Sequence, residues 1–427
     1  MSKTTPPQSV VIIGNGISGI TLARHLRKKS AIPIRIISEE TPYFFSRTAL
    51  MYVFMGHMRF EDTQPYENDF WKKNNIQLIH KRITRVDTQK KLLLTQDATE
   101  ISYDTLVIAC GSKPNRFGWP GQDLKAVQGL YHKQDLEQLE KWSSSIKEAT
   151  IVGGGLIGVE LAEMLHSRGK KVHFLVREKS FWDHILPKEE SEMINQHILA
   201  HGIDLQLNTE LHSIEGDERD RAKTIVTKKG DRIPSQWVGL TVGVSPNIDF
   251  IKNSGLELGR GVKVNCYLET NLKDIYAIGD CAEQTQPLPQ RRSIEAVWYT
   301  GRMMGETLAQ TLLGNKTPYT PGHWFNSAKF FDIEYQTYGM VSAHPDAEEE
   351  AQFFWKPKKA NVSLRFSYHP VSEKLLGVLA LGTRIRHHVF DRWLEEERTL
   401  NYVLTHFSEA AFDPEFYPNF KPKRNAI

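Results

Sequence analysis

Short apolar runs alternate with amphipathic stretches through the first 180 residues of the chain. The run Val10–Ile13 predicts a strand buried on both faces, as in a parallel sheet, and residues 17–29 predict the helix that follows it. The run Ile34–Glu39 predicts the next strand and completes a βαβ unit. The same order recurs at 150–176, where Lys171–Val176 is the second strand, so this binding unit is duplicated within the chain.

Further apolar runs predict additional strands at residues 92–94, 105–109 and 274–278. The composition changes near residue 323, where aromatic residues become dense. Beyond that point, residues 362–382 predict a hairpin of alternating strands, and residues 386–409 predict a helical segment.

A glycine-rich loop joins the first predicted strand to its helix in the order G-x-G-x-x-G. In this context Gly14 allows the tight turn, Gly16 lets the backbone approach a pyrophosphate, and Gly19 lets the helix pack close to the strand. Glu39 ends the second strand, where a carboxylate can accept both hydroxyls of a ribose. The first loop therefore predicts a dinucleotide site.

The second loop repeats this arrangement through Gly153, Gly155 and Gly158. Val176 stands where a ribose-binding acid is expected, and Arg177 follows it. A guanidinium there can pair with a 2′-phosphate or remain a solvated charge at the end of the strand, so the choice between NADH and NADPH stays open with a lean to NADPH. Two such loops favour hydride transfer between a nicotinamide and a flavin.

Composition and charge narrow the class of protein. A length of 427 residues predicts two or three domains, and 40% hydrophobic with 25% charged residues is typical of a globular protein. A net charge of +3 gives no indication of nucleic acid binding. We expect no secretory signal and no transmembrane segment, which makes the cytoplasm the expected location.

The cysteines are Cys110, Cys266 and Cys281, and none stands in a C-x-x-C spacing. We therefore expect neither a disulfide framework nor a zinc site, and we predict no metal. Residues 40–60 contain no cysteine, which excludes a thiol pair in that region.

Three further segments carry a resemblance to a known family: Pro42–Leu50, Thr105–Ser112 and Thr270–Asp280. With the two glycine loops, they make residues 10 to about 310 similar to the pyridine nucleotide–disulfide oxidoreductase superfamily. The similarity is to its branch without a redox disulfide, which contains ferredoxin and rubredoxin reductases and apoptosis-inducing factor.

The resemblance implies an α/β fold with two Rossmann-like domains that bind FAD and NAD(P)H. The FAD domain would comprise residues 1–120 and 240–322, the NAD(P) domain residues 121–239, and a C-terminal α+β domain residues 323–427. It also implies a set of cofactor-binding residues beyond those already discussed: Ser18, Arg47, Thr48, Cys110, Gly111, Ile157, Gly243, Gly279, Asp280 and Trp298.

Two residues have an implied catalytic place. Glu160 matches a family glutamate near the nicotinamide, which in relatives often pairs with a lysine near the flavin. Tyr52 falls at the position of that lysine, so the lysine–glutamate pair is not expected here.

The resemblance implies a hydride from NAD(P)H to FAD and then electrons to an external acceptor, either a small electron-carrier protein of the ferredoxin or rubredoxin type or a quinone. Two alternatives remain open, a type II NAD(P)H:quinone reductase and an apoptosis-inducing-factor-like protein that changes shape with NADH. A homodimer is one assembly that the sequence leaves open.

Overall fold

The computed structural model describes residues 6–289, 291–357, 361–412 and 422. It divides into two compact units. The first unit comprises Met1–Asn115, Gly129–Lys141 and Gly243–Pro321, and the second comprises Arg116–Gln128, Trp142–Val242 and Gly322–Ile427.

The strands in chain order are β1 Val10–Ile13, β2 Ile34–Ser38, β3 Ile76–His80, β4 Ile83–Asp87, β5 Leu92–Thr95, β6 Glu100–Ser102, β7 Thr105–Ile108, β8 Ser112–Pro114, β9 Val127–Gln128, β10 Glu148–Val152, β11 Lys171–Leu175, β12 Asp204–Gln206, β13 Leu211–Gly216, β14 Ala222–Thr227, β15 Arg232–Pro234, β16 Trp237–Leu240, β17 Val244–Pro246, β18 Val262–Val264, β19 Ile275–Ala277, β20 Ala282–Gln284, β21 Phe325–Phe330, β22 Ile333–Gly339, β23 Ala351–Trp355, β24 Ser363–Tyr368 and β25 Leu375–Leu381. The helices are α1 Ile17–Lys29, α2 Leu50–Phe54, α3 Phe70–Lys73, α4 Lys133–Ser143, α5 Leu156–Ser167, α6 Lys188–Ala200, α7 Trp298–Leu312, α8 His387–Glu395, α9 Leu400–Thr405 and α10 Phe407–Ala410.

The first unit is built on a parallel sheet with strand order β19-β7-β1-β2-β3. Every residue of β1 is buried, because the strand lies in the middle of the sheet between β2 and β7. Helix α1 crosses from β1 to β2, and α7 packs closely on it: a Cβ at Gly305 would lie 2.6 Å from the Ser18 carbonyl oxygen. Small residues therefore set the spacing of these two helices.

The second unit contains a second parallel sheet, with strand order β12-β11-β10-β16-β9. It also contains an antiparallel sheet of order β21-β22-β25-β24-β23, whose apolar core includes Phe366, Phe390 and Trp393. The α/β class with parallel nucleotide-type sheets is confirmed. The domain boundaries drawn from the sequence stay a prediction, and residues 358–360, 413–421 and 423–427 of the third domain lie outside the described part.

The segment 386–409 is helical as predicted, but the helix is divided into three short pieces, α8, α9 and α10. Helix α8 ends at Glu395, and Glu397 adopts a left-handed φ of 51° that interrupts the helical path. Thr399 then begins α9 by accepting a hydrogen bond from the Tyr402 backbone N–H. The predicted hairpin at 362–382 is confirmed as β24 and β25.

No helix among the described residues combines the length and the apolar composition needed to cross a membrane.

Candidate functional site

A large cleft lies in the first unit where the parallel strands end. The loop after β1, the turn after β2, residues 109–111 after β7, and Asp280 after β19 all line it. It encloses about 1440 Å³, counting open space at its mouth. The carboxyl ends of parallel strands are where nucleotides bind in this class of sheet.

The first glycine loop forms one wall of the cleft through backbone alone. Gly14 has a φ of +112°, and a Cβ there would lie 2.1 Å from the Ala109 carbonyl oxygen. A Cβ at Gly19 would lie 2.3 Å from the Gly14 carbonyl oxygen, so both positions exclude a side chain. At Gly16 a Cβ would meet nothing within 4 Å, because it would point into open space. This cradle fits a diphosphate that approaches the backbone at Gly16 and faces the start of α1.

Glu40, rather than Glu39, is the buried carboxylate after β2. The Glu40 side chain is 9% exposed and accepts two hydrogen bonds from Arg47, at 2.9 and 2.6 Å. Arg47 also donates to the Tyr131 carbonyl oxygen and lies 4.4 Å from the centre of its ring. Burial alone would raise the pKa of Glu40, but hydrogen bonding from His132 and the Arg47 charge hold it at about 2.

Glu39, the acid predicted from the sequence, also lines the cleft but is half exposed. Its carboxylate lies 3.2 Å from the Arg82 guanidinium. The sequence reasoning missed Glu40 because two adjacent acids after a strand give no signal for which one turns inward. Glu39 remains the proposed ribose partner.

Asp280 lines the same cleft. Its carboxylate accepts hydrogen bonds from the Ser112 hydroxyl at 3.2 Å and the Tyr131 hydroxyl at 3.4 Å. Burial raises the pKa of Asp280, while these bonds and the Arg47 charge lower it. Gly279 has a φ of +74°, and a Cβ there would lie 2.3 Å from the Ser18 hydroxyl oxygen. The turn before Asp280 is therefore fitted to the start of α1.

Cys110 and Gly111 line the cleft after β7. The Cys110 thiol donates to the Asn247 carbonyl oxygen at 3.3 Å. Hydrogen bonding with Cys281 and burial raise the pKa of Cys110 well above its usual value. The Cys110 thiol is therefore held protonated at neutral pH.

The other predicted residues of the first unit divide into two groups. Thr48 and Trp298 line the cleft, and the Trp298 side chain is exposed. Tyr52, on α2, and Gly243, which has a φ of +85°, are not among the described residues that line it. The roles of Tyr52 and Gly243 stay predictions.

The second unit repeats the cradle at its own glycine loop. Gly153 has a φ of +115°, and a Cβ there would lie 2.6 Å from the Thr241 carbonyl oxygen. A Cβ at Gly158 would lie 2.4 Å from the Gly153 carbonyl oxygen. At Gly155 a Cβ would again meet nothing within 4 Å, and Ile157 stands in the first turn of α5. The backbone here fits a second nucleotide diphosphate.

Arg177 follows the buried Val176 at the end of the neighbouring strand β11. Its side chain is 72% exposed, and its guanidinium lies 2.7 Å from the Glu178 carboxylate. An exposed pair of this kind is weak, so Arg177 can exchange Glu178 for a phosphate.

Glu160 lies on α5 with Glu163 one turn further along, and Glu163 is paired with Lys329 of β21 at 2.8 Å. Burial and the neighbouring Glu163 charge raise the pKa of Glu160 to about 7, against the opposing effect of Lys329. Lys329 was not predicted as a partner of this site, because it lies more than 160 residues from Glu160 and belongs to a different sheet.

We expect Glu160→Gln to remove a pH dependence of stability between about pH 4.5 and pH 7. A carboxyl whose pKa is raised on folding binds its proton more tightly in the folded chain, so its stabilisation is complete below 4.5 and is lost as the pH rises through about 7. At ~1.4 kcal/mol per pKa unit the effect is at most about 3 kcal/mol, and partial exposure reduces it to about 1–2 kcal/mol.

The measurement is urea unfolding of both proteins across that pH range. Glu163→Gln is a second test, because it removes the neighbouring negative charge, should lower the pKa of Glu160 and should therefore reduce this pH dependence while Glu160 is kept. Parallel stability curves for the original protein and Glu160→Gln would contradict the assignment.

The fold and the two cradles define a protein that binds two dinucleotides, and comparison with known proteins agrees. Residues 8–305 match the family model of the pyridine nucleotide-disulphide oxidoreductases. The chain belongs to this family and is an FAD-dependent NAD(P)H oxidoreductase.

Two relatives align with most of this chain. The ferredoxin reductase subunit of 5,5′-dehydrodivanillate O-demethylase from Sphingobium sp. is 29% identical over 80% of this chain and 84% of its own length. The nitric oxide reductase FlRd-NAD(+) reductase of Salmonella heidelberg is 28% identical over 81% of this chain and 94% of its own.

Solved structures share the fold. A ferredoxin reductase for the CYP199A2 system from Rhodopseudomonas palustris has a TM-score of 0.83 at 23% identity, with 92% of this chain and 96% of that chain covered. An NADH:rubredoxin oxidoreductase from Clostridium acetobutylicum has a TM-score of 0.71 at 23% identity, with 93% and 99% covered.

Proposed function

We propose that this protein reduces a small iron–sulfur electron carrier of the ferredoxin or rubredoxin type with electrons from NAD(P)H. The observation that carries the proposal is the pair of cradles, each with close backbone contacts at its outer glycines and open space at its middle glycine, at Gly16 and Gly155. Flavin supplies the needed chemistry, because it takes a hydride from a nicotinamide and can release electrons one at a time.

The first cradle is proposed to hold FAD. Gly16 and the start of α1 would face its diphosphate, Glu39 its adenosine ribose, and Asp280 its ribityl end. Arg47, held against Glu40, would contribute positive charge near the phosphates. The remaining contacts would come from Gly14, Ser18, Gly19, Thr48, Cys110, Gly111, Gly243, Gly279 and Trp298.

The second cradle is proposed to hold NAD(P)H, with Gly155 and Ile157 at its diphosphate and Arg177 at the 2′ position. Glu160, with its raised pKa, is proposed to lie near the nicotinamide, where its neutral form would avoid placing an anion beside the reacting ring. In this chain Tyr52 replaces the lysine that relatives pair with such a glutamate.

The choice of acceptor rests on two observations. Residues 40–60 hold no cysteine, so a thiol pair in that segment cannot receive the electrons within the chain. Relatives include a ferredoxin reductase subunit and an FlRd-NAD(+) reductase, each aligned over more than four-fifths of its own length. Of the open acceptors, these relatives favour the protein carrier over a quinone.

Anaerobic stopped-flow reduction tests the proposal. Either NADH or NADPH should bleach the visible absorption of the bound flavin, and a ferredoxin or rubredoxin should then restore it faster than a water-soluble quinone at equal concentration. No bleaching by either nicotinamide would contradict the reductase function. Bleaching followed by faster reoxidation with the quinone would favour a quinone reductase, and slow reoxidation by every acceptor would favour an NADH-responsive protein.

A further inference from the structure

Two histidines and an aspartate converge on one surface of the second unit, away from its glycine loop in sequence. His197 and His201 stand one turn apart at the end of α6, and Asp332 comes from the turn between β21 and β22. One potential ligand atom from each residue lies within 4.8 Å of the other two. Imidazoles four residues apart on a helix share a face, which is the arrangement that metal-binding helices use.

The hydrogen bonding of His201 fixes which nitrogen is free for a ligand. Its Nδ1 lies 2.9 Å from the His197 carbonyl oxygen, an acceptor only, so Nδ1 must carry the proton. In the neutral ring Nε2 then carries a lone pair, and it lies 3.9 Å from the Asp332 carboxylate oxygen. Metal-bound histidines usually donate their second ring N–H to a carbonyl in this way.

A strained turn brings Asp332 to the histidines. Phe331 has a left-handed φ of 55°, which is unfavourable for an aromatic residue, and its ring stacks on His201 with 4.3 Å between centres. The Asp332 carboxylate lies 2.5 Å from His197 Nε2. The stack orients the His201 ring, and the turn completes the third ligand position.

We propose that His197, His201 and Asp332 bind a divalent transition-metal cation, with Zn²⁺ as the chemical type. Two imidazole nitrogens and one carboxylate oxygen suit this class of ion, and water would complete a tetrahedral set. Metal–ligand bonds of ~2.0–2.1 Å hold ligand atoms about 3.3 Å apart, so the Asp332 carboxylate must withdraw from His197 Nε2. The proton that these two atoms share at 2.5 Å is released to water when the ion binds. The Asp332 side chain is 76% exposed, so no packing opposes this movement and the ion can reach the carboxylate from solvent.

The bound ion would tie α6 to the turn between β21 and β22 within the second unit. It would act as a structural link and take no part in electron transfer, because no step of the reductase reaction requires it. The stabilisation follows from binding to the folded chain in preference to the unfolded one. This inference is independent of the flavin and the electron acceptor.

Calorimetric titration of the tag-free, chelator-treated holoenzyme with Zn²⁺ tests the site. We expect one ion bound per chain and a higher unfolding temperature in its presence. Loss of a residue that only supports a metal ligand weakens metal binding by about 10–100-fold. His201→Ala and Asp332→Asn each remove a ligand itself, so each should weaken Zn²⁺ binding by at least that much. Asp332→Asn changes an exposed side chain, so it keeps the test valid if His201→Ala folds poorly.

His406→Ala is the matched control. His406 is partly exposed, and like His201 it places Nδ1 2.9 Å from the carbonyl oxygen four residues earlier, that of Tyr402. Its loss should leave Zn²⁺ binding unchanged. The proposal is overturned if the original protein binds no Zn²⁺ at micromolar concentration, or if Asp332→Asn binds it as tightly as the original protein does.

Discussion

Gly16→Val should give a folded chain that binds FAD much more weakly than the original protein. The backbone at Gly16 has a φ of −71° and a ψ of −178°, which any residue adopts, and a Cβ there meets nothing within 4 Å. The valine methyl groups would instead occupy the space through which the diphosphate approaches. Overlap of this kind costs about 1–3 kcal/mol, and we expect FAD affinity to fall by about 100-fold.

Gly155→Val is the matched variant in the second cradle. Its backbone is also extended, with a φ of −106°, and a Cβ there also points into open space. This variant should retain FAD and lose reduction by NADH and NADPH, while dithionite still bleaches its flavin. The two variants therefore distinguish the role of the first nucleotide site from that of the second, because the backbone at the substituted glycine is similar in both.

The measurements are flavin content after purification, FAD affinity by fluorescence titration, and stopped-flow reduction. Circular dichroism of both variants should match the original protein. Gly14→Ala should instead disrupt the loop itself, because a Cβ there would lie 2.1 Å from a carbonyl oxygen and should prevent the loop from forming. Retention of FAD by Gly16→Val at the original affinity, or its loss from Gly155→Val, would contradict the assignment of the loops.

The sequence predicted the nucleotide cradles well because their signals are local. A strand buried on both faces is a continuous apolar run, and β1 and α1 begin and end at the predicted residues. The glycine positions follow from close backbone contacts inside one strand–loop–helix unit, such as Gly19 against Gly14. Each of these features depends on about twenty neighbouring residues.

The partners of the site came from distant parts of the chain and left no sequence signal. Tyr131 accepts from Arg47 across 84 residues, and Lys329 reaches Glu163 across 166. The inward turn of Glu40 depends on such contacts, which no pattern around β2 contains. His197 and Asp332 are 135 residues apart, so no local spacing indicates that they meet. The prediction of no metal rested on the cysteine spacing alone.

Arg47→Gln should destabilise the protein by about 3 kcal/mol at neutral pH. Loss of one partner leaves a buried charge without compensation, which costs about 3–5 kcal/mol in buried pairs. The Glu40 side chain is 9% exposed, but Arg47 is one-third exposed, and Glu40 keeps the Lys133 backbone N–H at 2.9 Å. These remaining contacts place the expected cost at the lower end of that range.

The pH dependence distinguishes this cause from general damage. The pKa of Glu40 is held at about 2, below its usual 4.5, so its stabilising contribution is complete above pH 4.5 and is lost as the pH falls through about 2. Urea unfolding should therefore show a gap between Arg47→Gln and the original protein that narrows from pH 5 towards pH 2. The variant should also bind FAD more weakly.

Arg59→Gln is the matched control, because Arg59 forms an exposed pair with Asp62 at 2.8 Å. Solvent screens an exposed pair of this kind, so this variant should stay close to the original protein at neutral pH. A gap for Arg47→Gln that is equally small, or that is unchanged between pH 5 and pH 2, would mean that Arg47 does not compensate the Glu40 charge. Arg47 would then be available to the cofactor phosphates alone, and its loss would weaken FAD binding without weakening the apoprotein fold.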